Sequence, residues 1–303
     1  MKYSQCPATV QPVFGRTPLF PASPQQPSSP SSGYQARQAS LSPPNLLDYF
    51  PGLAGDGLRL NWAHAANSRS LLNQALMGDE LMIEADVTLA ETTRYPIPIM
   101  SHQPSHMSDI TLEDWLIDVV RSETGKGVKL DFKSTRVVEP AFRVLARHAE
   151  FIKGPLVLNA DILPGYKSSV SPVDPWTFLM LCRTRFPKSI ISIGWTTESD
   201  DMSMKTGYTR EMVDQMASLV KEYSLIQPVT FPINATMLKP SLGELQRLLF
   251  QVPNSSLTLW AHPGDPVSLE DLLIYRKNFS PNQIFYDLPE PLLSMIRSHV
   301  YRR

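Results

Sequence analysis

The feature that most constrains the fold of this chain is an alternation repeated eight times. Short β-like runs recur at 58–64 (LRLNWAH), 80–87 (ELMIEADV), 127–133 (GVKLDFK), 155–161 (PLVLNAD), 189–195 (SIISIGW), 228–235 (PVTFPINA), 256–262 (SLTLWAH) and 283–288 (QIFYDL). A stretch with helical periodicity follows each, such as LEDWLIDVVRS or REMVDQMASLVKEY, and Gly or Pro punctuates most boundaries. Strands that alternate with helices form a parallel sheet covered by helices. Eight units is the count of a (β/α)8 barrel, so the expected fold is α/β, a TIM barrel. The rival is a doubly wound open sheet. The glycine-rich turn of its dinucleotide-binding form is missing, since HAANSR follows the first run.

Residues 1–44 do not share this pattern. They hold nine of the 28 prolines, many Ser and Gln, and no Asp or Glu. Such a stretch buries too little apolar surface to offset its ordering entropy. The expected organisation is a disordered Pro/Ser-rich extension over 1–44 and one barrel domain over 45–303. The extension is acid-poor like a transit peptide but lacks the Arg-rich amphipathic helix.

Bulk properties exclude several classes. A net charge of −1 with no Lys/Arg block leaves out the footprint of a nucleic-acid binder. No run of 18 apolar residues and no signal-peptide core is found, so the expected protein is cytoplasmic, without a transmembrane span, and monomeric. Two cysteines, Cys6 and Cys182, offer no disulfide framework.

Chemistry gathers where the β-like runs end. In a barrel, polar residues at the C-terminal ends of strands read as active site. His64 ends the first run and Asp287 the eighth. Side chains at i and i+2 share a face of a strand, which groups Glu84 with Asp86, Lys129 with Asp131 and Lys133, and Asn159 with Asp161. Converging carboxylates need a cation, a shared proton or a lysine to stay ionised. Glu84, Asp86 and Asp131 are hard oxygen ligands that suit one divalent cation, Mg²⁺ ahead of Ca²⁺, and no Cys/His spacing favours zinc. His64 precedes this pair, and His102 follows it in an extended piece, PIPIMSH, with His106 as a possible substitute. Two imidazoles beside a metal suit acid–base work on a phosphodiester. Lys133 would neutralise phosphate oxygens, and Trp260 and Trp195 would form an aromatic wall. Asn67 reads either as a helix N-cap or as a site residue. Lys129 and Asn159 complete the substrate-binding candidates, and Asp161, His262 and Asp287 form a second tier.

The combination WAHAANS, MIEADV, SH, GVKLDFK and PLVLNADILPG resembles the menorin family, nearest its B-type animal branch, over about 58–300. That family in turn resembles the phospholipase-C-like phosphodiesterases, among them glycerophosphodiester phosphodiesterases and spider-venom sphingomyelinases D. The resemblance implies a TIM barrel with one Mg²⁺ or Ca²⁺ and two catalytic histidines, here His64 and His102. It implies Glu84 and Asp86 as a metal pair, Asp131 as a further ligand, Lys133 on phosphate and Trp260 as the aromatic of the seventh strand. Ala65-Ala66 replace the Arg-Gly that follows the first histidine in the glycerophosphodiesterases, and Asp131 stands where they carry Glu. Pro263 stands where the sphingomyelinases D place an acidic residue.

The expected function is metal-dependent attack on a phosphodiester, such as a glycerophosphodiester or phospholipid headgroup, by hydrolysis or cyclisation. The alternatives are an inactive barrel serving as a binding or scaffold protein, a metal-free glycosidase with paired carboxylates, and a Schiff-base aldolase on Lys129 or Lys133. The carboxylates around each lysine would keep it protonated, against the last of these.

Overall fold

A computed structural model of the chain describes residues 43–90, 95–102, 105, 107–197 and 205–302. The expectation for 1–44, all but its last two residues, and the alternative histidine, His106, lie outside the described residues.

Among the described residues nine strands form one sheet: β1 (Trp62–Ala63), β2 (Met82–Leu89), β3 (Pro98–Met100), β4 (Gly127–Phe132), β5 (Leu156–Leu163), β6 (Ile190–Trp195), β7 (Val229–Asn234), β8 (Ser255–Trp260) and β9 (Ile284–Asp287). Eight are parallel and neighbour one another in the order β1-β2-β4-β5-β6-β7-β8-β9, while β3 runs antiparallel to β2 from the loop beyond it. The described helices are α1 (Arg69–Met77), α2 (Leu112–Ser122), α3 (Thr135–Leu145), α4 (Pro175–Arg185), α5 (Arg210–Glu222), α6 (Leu238–Gln251), α7 (Leu269–Asn278) and α8 (Leu292–Tyr301). This is a nearly closed (β/α)8 barrel; among the described residues no ladder joins β1 to β9.

Local chemistry sets the helix starts. The side chains of Ser68, Thr111, Asp174, Thr209 and Ser268 each accept a backbone N–H of the first turn. The strands are apolar on both faces because helices cover one and the barrel interior the other. Val128, Leu130, Leu158, Ile191, Phe231 and Leu257 are fully buried.

A second apolar cluster closes the N-terminal end of the barrel. Leu46 and Leu47 pack there with Met82, Val157, Ile190 and Phe285, which stand near the beginnings of their strands. Asn45 holds this short helical segment by accepting N–H bonds from Leu47 and Asp48.

The first strand is shorter than the sequence implies. Gly57–Arg59 is a 3₁₀ turn because the Asp56 carboxylate accepts the Leu58 N–H at 3.0 Å. Only Trp62 and Ala63 join the ladder. Asp56 also makes a two-pronged pair with Arg276 at 2.7 and 2.8 Å and accepts the Tyr301 hydroxyl at 2.8 Å, so the start of the barrel is fixed to its last two helices.

Candidate metal centre

Strand register builds the site. Glu84 lies opposite Lys129, Asp86 opposite Asp131, and Asp131 opposite Asn159. Parallel neighbours are about 4.8 Å apart, so these side chains converge from two adjacent inward rungs near the C-terminal ends of β2, β4 and β5. One carboxylate oxygen from each of Glu84, Asp86 and Asp131 lies within 4.8 Å of the other two. Oxygens on opposite sides of Mg²⁺ stand about 4.2 Å apart, and of Ca²⁺ about 4.8 Å. The three carboxylates therefore fit a single divalent cation and could hold it.

Each carboxylate is braced. Asn67 donates from Nδ2 to Asp86 Oδ2 at 2.7 Å, and its Oδ1 accepts the Asp86 N–H at 2.8 Å. Asn159 donates to Asp131 Oδ1 at 2.6 Å while accepting the Ser192 hydroxyl at 2.5 Å. Ala65 N–H donates to Glu84 Oε2 at 2.9 Å, and Ala66 N–H to the Glu84 carbonyl at 2.8 Å. This turn puts Ala65 at φ 54°, a left-handed conformation costly for a residue with a Cβ. Lys133 Nζ stands 2.8 Å from Asp86 and 2.5 Å from Asp131, bridging the two.

His64 leaves the end of β1 with its side chain 43% exposed at the mouth. Its Nδ1 lies 3.1 Å from Asp287 at the end of β9 and 3.6 Å from Glu84. With Nδ1 engaged by Asp287, Nε2 is the nitrogen left for chemistry. Partial desolvation disfavours the imidazolium, but Asp287 and then Glu84 outweigh it and raise His64 to about 9 in the metal-free protein. Burial and then Asp86 push Glu84 up against the pull of His64. Burial also disfavours ionised Asp131, yet Lys133 and Lys129 hold it low. Asp161 is pushed up by burial and by Asp131.

His64, His102, Lys129, Lys133, Asp161, Trp260 and His262 line one cavity of about 120 Å³ with the three carboxylates and Asn159. Trp260 stands edge-on to His262 at 5.2 Å. Lys129 is buried, with its ammonium 5.8 Å from the Trp62 ring.

Two of the expected site residues lie outside the cavity wall. Trp195 does not line the cavity; it is buried beside Tyr208 and Phe231, with ring centroids at 5.0 and 6.4 Å. Asn67 is neither the N-cap, which is Ser68, nor a wall of the cavity; both ends of its amide are committed to Asp86. Asp287, a second-tier candidate, is the direct partner of His64. Ser192, Thr197 and Pro232 were not anticipated, and only Ser192, inward on a strand beside Asn159, left a readable signal.

The chain is similar to known proteins over most of its length. Residues 56–293 match the model of the Menorin N-terminal domain. The chain is 41% identical over 252 residues to human Protein FAM151B, covering 82% of this chain and 90% of that protein. Among solved structures, a 2,3-dimethylmalate lyase (TM-score 0.43, 11% identity, 85% of each chain) is too remote to inform function. So is the Escherichia coli homocysteine methyltransferase MmuM (TM-score 0.45, 10% identity, 84% of this chain and 99% of that one).

Proposed function

This chain belongs to the menorin family, in its B-type branch, and on that premise we propose that it is a metal-dependent phosphodiesterase-like enzyme. The observation that carries the reading is the convergence of Glu84, Asp86 and Asp131 beneath His64, His102 and Lys133 in one cavity. A divalent cation on those carboxylates would supply charge stabilisation for a phosphate oxygen, Mg²⁺ being preferred to Ca²⁺. A scaffold has no need to gather charges at this density.

The chain's own residues divide the remaining work. Asp287 holds the His64 ring through Nδ1, so Nε2 is the nitrogen that would give or take a proton at the scissile phosphate. His102, entering from beyond β3, serves as the second proton-transfer group. Lys133 brings positive charge to oxygens that grow more negative as the bond breaks. Trp260 offers an aromatic face at the rim. Attack by water yields a monoester, and attack by a neighbouring hydroxyl of the substrate yields a cyclic phosphate.

Calorimetry with Mg²⁺ and Ca²⁺ on wild type and on Glu84→Ala/Asp86→Ala tests the centre of this reading. The expected result is saturable binding lost in the double variant. His64→Ala is then expected to lower turnover of a phosphodiester by about 10²–10⁴-fold. Absence of binding at millimolar metal in folded wild type would overturn the reading.

One observation favours a second reading, a barrel retained for binding without turnover. Lys133 already neutralises Asp86 and Asp131 from within the protein. Affinity for a phosphodiester with no product formed, whatever the metal, would support it.

A further inference from the structure

The cavity at the metal centre, about 120 Å³, has room for an ion and a phosphoryl group and little else. Sites for whole small molecules run to about 300–1,000 Å³. The missing space lies next to it. A groove of about 650 Å³ shares His64, Asp86, His102 and His262 with the metal centre. It runs along the seam where β1 and β9 are not joined, between Trp62 and the segment that enters α8.

Beyond the shared residues its walls are more apolar than polar, with Trp62, Pro263, Leu288, Pro289 and Leu293 on one side of the balance and Asn61, Glu80, Asp287, Glu290 and Arg297 on the other. Several polar residues along it already serve the protein. Asn61 donates to the Asp79 carbonyl and accepts the Leu81 N–H. Arg297 donates to the carbonyls of Leu58 and Leu60, and Glu290 accepts the Ser294 N–H. A sugar or polyol would need polar side chains free to converge on its hydroxyls.

We propose that this seam groove is the specificity subsite for one organic substituent of the phosphodiester, and that the substituent is an elongated apolar chain. The inference rests on the phosphodiester reading above and adds the substrate class. The phosphoryl group sits beneath His64 and His102, and the chain extends from it along Trp62 and Leu293. Each buried methylene favours binding, so chain length sets affinity.

Calorimetry on the Mg²⁺-loaded protein with inorganic phosphate and octyl phosphate tests this. Wild type is expected to bind octyl phosphate at least tenfold more tightly than phosphate. Pro263→Trp, on the exposed rim, and Leu293→Trp, in the wall, are expected to remove that gain and leave Mg²⁺ and phosphate binding unchanged. If Leu293→Trp fails to fold, the rim variant alone decides. Octyl phosphate no tighter than phosphate, or a gain that survives the rim variant, overturns the subsite and leaves the phosphodiester reading standing. Failure of the Mg²⁺-loaded wild type to bind either ligand refutes both.

Discussion

Replacing Asn67 by Ala tests whether the bracing of a ligand matters as much as the ligand. Asn67 touches Asp86 twice, once at the carboxylate (2.7 Å) and once at the backbone N–H (2.8 Å). A hydrogen bond to a charged acceptor contributes about 1.5–3 kcal/mol and a neutral one about 1 kcal/mol. The first sets how firmly Asp86 is aimed at a cation, so the aiming cost in Asn67→Ala is about 2 kcal/mol. An independent guide gives a similar size: losing a partner of a metal ligand weakens the metal about 10–100-fold, or about 1.4–2.8 kcal/mol. The expected outcome is Mg²⁺ binding weaker by about 30-fold. Calorimetry reads the affinity, and a thermal melt of the metal-free variant confirms that it folds. A folded Asn67→Ala that binds Mg²⁺ within twofold of wild type would refute the reasoning, since Asn67 would then serve only the turn before α1.

Three further outcomes are expected. His64 in the metal-free protein is raised to about 9 by Asp287 and Glu84 against partial desolvation. Its ionic contribution to stability is therefore full below about pH 6.5 and is lost as pH rises from there through about 9; Asp287→Asn should lower the His64 titration midpoint followed by NMR, and an unmoved midpoint would refute the pairing. Arg276→Ala leaves the Asp56 carboxylate buried without its main partner, at a cost of about 3 kcal/mol and a Tm lower by about 6–12 °C. Because Asp56 is held low in the folded state, that stability is present above the ordinary carboxylate range and falls away as acid protonates it, so the wild-type and variant melts should converge at low pH. Gly194→Ala would set a Cβ 2.5 Å from Asp161 Oδ1 and 2.8 Å from Pro232 Cγ, and should destabilise by about 1–3 kcal/mol in a denaturant titration.

Much of the site was legible because strand geometry is short-range. The i, i+2 rule alone aligns Glu84 with Asp86 and Lys129 with Asp131 and Lys133, and the eightfold alternation says that these ends share a mouth. What escaped depends on distance or on competition. Asp287 is 223 residues from His64, and only the curl of the sheet brings them to 3.1 Å. Trp195 has the same strand-end position as Trp260, but Tyr208 and Phe231 cover it, and no local pattern separates the two. The alternation of Leu58 and Leu60 reads as strand, yet the Asp56 side chain makes a 3₁₀ turn the better local solution. Asn67 stands one place too early to cap α1, and its tie to a carboxylate 19 residues away has no sequence signature.

The left-handed turn at Ala65 carries a consequence for motion. His64 is anchored by only two residues of ladder, and the peptide that follows it is bent so that its amides grip Glu84. Imidazole and carboxylate are thus two ends of one short lever whose fulcrum is an alanine in a costly conformation. Any pull on Glu84 reaches the imidazole through two peptide units, and Trp115, whose indole N–H holds the Ala66 carbonyl at 3.0 Å, steadies the far side. A shift of Glu84, such as a cation on the acidic cluster would cause, would therefore carry to His64 through this turn, so the carboxylate and the imidazole do not move independently.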